Sequence, residues 1–310
     1  MYHDERWRLA RKGEFLRVRA DLIQAVRRFF VAYDFLEVET PIRLLEIAPE
    51  SSIEAVSSED RYLQTSPELC MKRLLAAGYG RIFQVSKCFR RKERGNLHLP
   101  EFTMLEWYEE GADYKTLMER CEDLLLFVTC ELGRDAMLDI GEGRQLCLQK
   151  PWERITLDEA FDRYSSLSLY EALRRDCFDE ILAIDIEPNL GITRPTFLYD
   201  YPVELGSLAR RSPADSKTAE RFELYLNGME LANAFSELTD VDEQRCRFEE
   251  EQKRRADRGL EVYPEPRKFL SALNHLPESA GIALGLDRLV MLFCGTRTID
   301  DVVAFTPELL

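Results

Sequence analysis

Between Glu14 and Tyr33 the apolar positions Phe15, Val18, Leu22, Val26, Phe29 and Phe30 recur every three or four residues, the spacing of one buried stripe on a helix. From Phe35 to Thr40 the period drops to two and ends at Pro41, so a short strand follows the helix. The same alternation runs through Ile82–Arg90 and Phe102–Tyr108, around an eleven-residue polar loop that contains Gly95-Asn96. It predicts a hairpin whose loop is too long for a tight turn. In its return strand Phe102, Met104, Glu106 and Tyr108 share one face. A second hairpin is predicted where Phe222–Leu226 and Met229–Asn233 flank Asn227-Gly228, a strong two-residue turn signal. Counting back from that turn pairs Tyr225 with Glu230 and Glu223 with Ala232, and places all four on one face. Ile282–Leu286 is a strand, punctuated by Gly281 and Gly285, that enters a helix at Asp287. Asp113 caps a helix to about Val128, and Thr156 or Asp158 opens another. The crowded charges of Asp240–Arg258 predict a solvated helix, whereas 131–150 and 165–195 carry no comparable pattern. Antiparallel hairpins flanked by helices define an α+β class, and the absence of a Pro/Gly/Ser-rich linker predicts a single domain over 1–310.

Composition narrows the function classes. The 57 acidic against 42 basic residues leave a net charge of -15, which disfavours broad adhesion to nucleic acid, since that depends on neutralising phosphates with Lys and Arg. The 8 cysteines are scattered with no C-x-x-C pair, which predicts a reduced cytoplasmic chain without zinc ligation. Met1–Lys12 is charged and lacks an apolar segment, and no run reaches the roughly 18 apolar residues of a membrane span. No membrane association is expected.

Candidate chemistry sits on the predicted hairpins. Arg90, Arg91, Lys92 and Arg94 form a basic cluster in an acidic chain, and guanidinium groups match phosphate oxygens in bidentate fashion. Glu223 and Glu230 lie on the diagonal of the second hairpin, roughly 7–8 Å apart at the backbone. With no basic partner expected beside them, the two carboxylates would repel unless a cation such as Mg²⁺ sat between. Glu106 shares a face with Phe102, and Glu237 follows the second hairpin; carboxylates there suit a substrate ammonium group.

Phe89-Arg90-Arg91-Lys92-Glu93 running on to His98-Leu99-Pro100-Glu101-Phe102-Thr103-Met104-Leu105-Glu106-Trp107-Tyr108 resembles motif 2 of the class II aminoacyl-tRNA synthetases. Gly281-Ile282-Ala283-Leu284-Gly285-Leu286-Asp287-Arg288-Leu289 resembles motif 3, and the first helix and strand resemble motif 1. The wording is of the lysyl type. The resemblance implies the class II catalytic fold, an antiparallel sheet flanked by helices, with ATP and Mg²⁺ as cofactors and a homodimer built on motif 1. It implies that Arg90 and Arg288 are catalytic, Arg90 on the α-phosphate and substrate carboxylate and Arg288 on the γ-phosphate. Phe102 would stack on adenine, with Glu93 and His98 also at the nucleotide, and Glu223 and Glu230 would hold the metal. Ser66 and Glu68 match the segment for the substrate's α-amino group. Glu106 and Glu237, assisted by Tyr108, match the residues for the ε-amino group, and Asn233 and Ala283 complete the substrate set.

Three departures accompany the match. Arg91-Lys92 stands where lysyl-type enzymes usually read Asn-Glu, Ala283 stands where they generally carry glycine, and the chain leaves no room for an anticodon-binding domain. With the Pro100–Tyr108 wording, these features resemble the lysyl-tRNA synthetase paralogues that modify elongation factor P. That resemblance implies activation of (R)-β-lysine, in preference to α-lysine, and its transfer to a lysine of elongation factor P, a protein shaped like tRNA, without stable tRNA binding. A truncated lysyl-tRNA synthetase that charges tRNA, and a catalytically inactive paralogue acting as a binding protein, remain open at this level.

Overall fold

A computed structural model describes residues 2–310. Eight strands form one sheet: β1 Leu36–Glu37, β2 Arg81–Phe89, β3 Glu101–Glu110, β4 Glu153–Thr156, β5 Thr196–Pro202, β6 Thr218–Leu226, β7 Met229–Ser236 and β8 Ser279–Gly285. Their spatial order is β1-β2-β3-β8-β7-β6-β5-β4, and only the two outer pairs are parallel. Both predicted hairpins are present, β2–β3 and β6–β7.

Alternate rungs of this sheet have opposite fates. Phe83, Trp107, Ile282, Ala234 and Phe222 lie side by side across five strands, and all are buried. They face helices α1 Gly13–Ala32, α3 Tyr114–Glu131 and α5 Leu286–Cys294, which contribute to the same core cluster. Phe30 of α1 stacks on Phe83 at 4.7 Å and lies 5.1 Å from Trp107. The next rung reads Gln84, Glu106, Ala283, Asn233, Glu223. Period-two pleating sends that rung to the other face, where helix α2 Glu68–Ala76 and helix α4 Val241–Asp257 pack at one end.

One register shift decides which residues reach that face. Tyr225 pairs with Glu230 as counted, but Leu224 pairs with Ala232 and Glu223 with Asn233, so Leu231 is an extra residue in β7. The pairing of Glu223 with Ala232 is therefore corrected. A one-residue insertion flips all later side chains. It turns Ala232 and Ala234 into the core and brings Asn233 and Phe235 beside Glu223 and Arg221.

Local signals account for most helix ends. Asp113 accepts from Thr116 N at the start of α3, and Thr156 forms a capping box with Glu159. The strand expected over Phe35–Thr40 contracts to β1. Helix α4 is less solvated than its charges predict, because Gln244, Phe248 and Arg255 are buried. Among the described residues no helix is long and apolar enough to cross a membrane.

Candidate active site

The second face of the sheet floors a cavity of about 1560 Å³, lined by Arg90, Glu93, His98, Phe102, Glu223, Glu230, Asn233, Ala283 and Arg288 among others. Such a volume exceeds the usual few hundred to about 1,000 Å³ of a single-ligand pocket. Two substrates fit more naturally than one.

At one end, the loop joining β2 to β3 and the start of α5 bring cations together. Arg90 lies 5.2 Å from the Phe102 ring and 3.9 Å from Glu93, and its buried Nε has no hydrogen-bond partner. A buried unpaired donor costs about 1–3 kcal/mol, so an anion at Arg90 would relieve a standing penalty. Arg288 Nη2 is 2.6 Å from His98 Nε2, while its Nη1 donates to the Glu230 carbonyl at 2.6 Å and lies 3.6 Å from the Glu230 carboxylate. Burial first, then the Arg288 charge, lowers the His98 pKa, so His98 is a neutral acceptor there. The rest of the basic loop is engaged elsewhere: Lys92 pairs with Glu54 at 2.9 Å, and Arg94 with Asp300 and Glu308 at 2.8 Å each. Only Arg90 of the expected cluster, with Glu93, faces the cavity.

The expected metal pair is corrected in one respect, for it does have basic partners. Arg221 Nη2 bonds Glu223 Oε1 at 2.5 Å, Tyr225 donates to Glu223 Oε2 at 2.7 Å, and Arg288 faces Glu230. Even so, burial and then Glu223 push Glu230 up to about 7. A cation shared by the two would offset that repulsion, and a carboxylate with two donors keeps further lone pairs. The donor set therefore fits Mg²⁺, with Glu230 the freer ligand.

Next to the cavity, where Glu106 pairs with Ala283, lies a buried acidic cluster. Glu106 accepts from Ser66 Oγ at 2.7 Å and from Tyr108 at 3.1 Å, and burial, then Glu68, raises its pKa to about 8. Glu237 is buried, is raised to about 7 mainly by burial, and has an unpartnered Oε1. Its Oε2 lies 2.5 Å from Lys72 Nζ, which also reaches Glu68 at 2.6 Å. Burial works against the Lys72 charge, but Glu237 and Glu68 outweigh it and hold the pKa above its ordinary value. Two carboxylates thus share one ammonium, while Glu106 beside them has only hydroxyl partners. Gly281 makes room for this arrangement: a Cβ there would sit 2.2 Å from Tyr108 Cε1 and 2.5 Å from Glu237 Oε1.

Of the sequence-predicted site residues, Arg90, Glu93, His98, Phe102, Glu223, Glu230, Asn233, Ala283 and Arg288 line the cavity, whereas Ser66, Glu68, Glu106, Tyr108 and Glu237 belong to the buried acidic cluster next to it. Sequence reasoning missed Lys72, Arg221 and Asp287. Asp287 is buried, bonds Arg19 of α1 at 2.5 Å and accepts from Thr103 N at 2.7 Å, so it locks motif 3 to motif 2. A signal existed for Lys72, which lies four residues after Glu68 on α2.

Residues 5–308 match the family described as tRNA synthetases class II (D, K and N). The chain belongs to that class II synthetase family. Its members use ATP, and this one resembles proteins of its own length. It is 41% identical over 314 residues to the elongation factor P--(R)-beta-lysine ligase of Pectobacterium atrosepticum, covering 94% of each chain. The ligases of that name from Photorhabdus laumondii, at 41% with 93% of each chain covered, and from Klebsiella pneumoniae, at 40% with 94% covered, are similar.

Proposed function

We propose that this class II synthetase-like chain is an ATP-dependent ligase that activates (R)-β-lysine and joins it to a lysine side chain of elongation factor P. The observation that carries the reading is the buried group of carboxylates around Lys72, in a chain about 40% identical to ligases of that name over 94% of its length. Glu106 and Glu237, with Tyr108, receive the distal ammonium, Ser66 and Glu68 the amino group nearer the carboxyl end, and Asn233 and Ala283 border the chain between. Arg90 orients the substrate carboxylate against the α-phosphate, Phe102 covers adenine, and His98, Glu93 and Arg288 complete the nucleotide contacts.

The chemistry needs no protein nucleophile. A carboxylate oxygen attacks the α-phosphorus, the bond to the β-phosphate oxygen breaks, and pyrophosphate leaves, while Arg90 and Arg288 stabilise the charge that develops. Glu230 and Glu223 would hold Mg²⁺, which supplies further neutralisation of phosphate charge when bound. The amine of the acceptor lysine then attacks the acyl carbonyl, AMP departs with the electron pair, and an amide forms. A homodimer is part of the proposal: Val31, Tyr33 and Leu36, at and just beyond the end of α1, and Tyr79 before β2 are exposed along the short edge strand β1. No stable tRNA complex is expected from the chain's acidity, and the reaction is placed in the cytoplasm. ATP–pyrophosphate exchange with each lysine isomer, followed by transfer to elongation factor P or to tRNA, tests the reading. Exchange with (R)-β-lysine and acyl transfer to the protein are expected; charging of tRNA alone would support the truncated synthetase instead.

A further inference from the structure

We propose that Glu50 is a second carboxylate for the amino group nearer the substrate's carboxyl end, acting with Glu68 to fix that group in the cavity. The inference rests on the lysine-ligase reading and adds a residue that neither motif contains.

Glu50 sits in the segment Pro49–Ile53, which lines the cavity. This segment has no helix or strand of its own, yet it is firmly held. Arg255, fully buried in α4, donates to the carbonyls of Glu50 at 2.6 Å and Ile53 at 2.7 Å, and its guanidinium stacks 4.0 Å from Tyr263. Ser51 N donates to Glu251 at 2.7 Å, and Ala55 N to the Tyr263 hydroxyl at 2.8 Å. A buried arginine that caps two loop carbonyls fixes a backbone whose polar groups would otherwise lack partners. The Glu50 side chain is thus presented from a fixed base.

Glu50 lines the same cavity as Arg90, Arg221 and Glu251, and the charge of Glu68 also acts on it. Glu50 therefore lies in the field of both the proposed amino-group residue and the proposed carboxylate-binding arginine. Burial, then Glu68, pushes it up to about 7, the response of a carboxylate that lacks a cation. No donor among the described residues hydrogen-bonds to its carboxylate, whereas Glu251, Arg90 and Arg221 all have partners of their own.

Counting acceptors gives the reason for a second carboxylate. An ammonium group presents three donors. Glu68 spends Oε1 on Lys72, Glu106 has donors on both oxygens, and Glu237 is tied to the same lysine. Glu68 keeps one oxygen without a donor and Glu237 keeps Oε1, too few for two ammonium groups with three donors each. A substrate whose carboxylate meets Arg90 carries its nearer amino group only one or two carbons away, on the side of the cavity that Glu50 also lines.

The test is steady-state ATP–pyrophosphate exchange by the full-length wild type, Glu50→Gln and Glu50→Asp. Loss of hydrogen bonds to a charged group predicts that Glu50→Gln raises the KM for (R)-β-lysine roughly tenfold to a hundredfold. The KM for ATP and the thermal midpoint should stay near wild type, and Glu50→Asp should recover part of the loss. An unchanged KM for (R)-β-lysine would overturn the proposal, including the case in which exchange is intact and only transfer to elongation factor P slows. A parallel rise in the KM for ATP with a lowered midpoint would also overturn it, making Glu50 a loop-stability residue. If the wild type exchanges with no lysine isomer, the ligase reading itself fails, an outcome distinct from either.

Discussion

The cavity and the acidic cluster beside it are built on opposite electrostatic plans. At the nucleotide end each guanidinium already faces a carboxylate: Arg221 with Glu223 at 2.5 Å, Arg288 with Glu230 at 3.6 Å and Arg90 with Glu93 at 3.9 Å. At the amino-acid end Glu68 and Glu237 share Lys72, and Glu106 has only the hydroxyls of Ser66 and Tyr108. One end is poised by pairs that loosen toward the cavity, and the other by a deficit of positive charge. On the roles proposed for these residues, the difference teaches how one site would sort its substrates ahead of the chemical step. A polyanion competes for guanidinium groups held in weak pairs, whereas a diammonium substrate fills a charge vacancy that no neutral or acidic amino acid relieves.

Removing Lys72 should break the acidic end most severely. Lys72→Met leaves Glu68 and Glu237 buried without a counter-charge, and losses on the order of 3–5 kcal/mol follow from stranding one partner of a buried ion pair. Urea unfolding measures it, and Lys72→Met combined with Glu237→Gln should recover part of the loss. A loss under about 1 kcal/mol, the scale of a surface pair, would show that the cluster is solvated.

At the opposite end, Arg90→Ala should lower pyrophosphate exchange by about 10²–10³, the usual cost of deleting one preorganised donor to developing charge. Stability should change little, since the Arg90 Nε has no partner to lose. Wild-type exchange in this variant would move the reacting phosphate away from Arg90.

The charge deficit also has a pH signature. Glu106 and Glu237 are raised to about 8 and about 7, above the ordinary 4.5, so between pH 5 and 8 the folded state holds more protons than the unfolded chain. Stability of the ligand-free protein should therefore fall as pH rises through that window. Added lysine should stabilise more at pH 8 than at pH 6, because bound ammonium groups favour the ionised carboxylates. Thermal midpoints with and without lysine across this range decide the point, and a lysine effect independent of pH would contradict it.

The smallest change concerns Ala283, whose cross-strand neighbours are Glu106 and Asn233. Ala283→Gly should cost only about 0.5–1 kcal/mol in stability. By opening the floor of the pocket it should shift the ratio of exchange with α-lysine to that with (R)-β-lysine toward α-lysine. An unchanged ratio would mean that this methyl does not shape the pocket.

Much of this architecture is legible in the chain because period-two alternation carries both the strands and their faces. Alternation alone places Glu106, Tyr108 and Phe102 together, and Asn227-Gly228 by itself marks the turn of the second hairpin. The extra residue Leu231 is not legible, since a bulge leaves no mark in a run of alternating apolar residues, and it alone decides that Asn233 rather than Ala232 joins Glu223. Nor are the pairings of Lys72 with Glu237, Arg19 with Asp287 and Arg255 with the Glu50 loop, because each joins elements far apart in sequence. The basic loop misleads for a related reason: Lys92 and Arg94 find acids on remote segments, which local charge counting cannot foresee.

The central claim is that a diammonium amino acid is activated here and handed to a protein. The most direct test is the intact mass of elongation factor P after incubation with this enzyme, ATP and either (R)-β-lysine or α-lysine. A gain of one lysyl residue, faster with (R)-β-lysine and abolished by Arg90→Ala, is predicted. An unchanged mass under conditions in which the same enzyme acylates tRNA would contradict it.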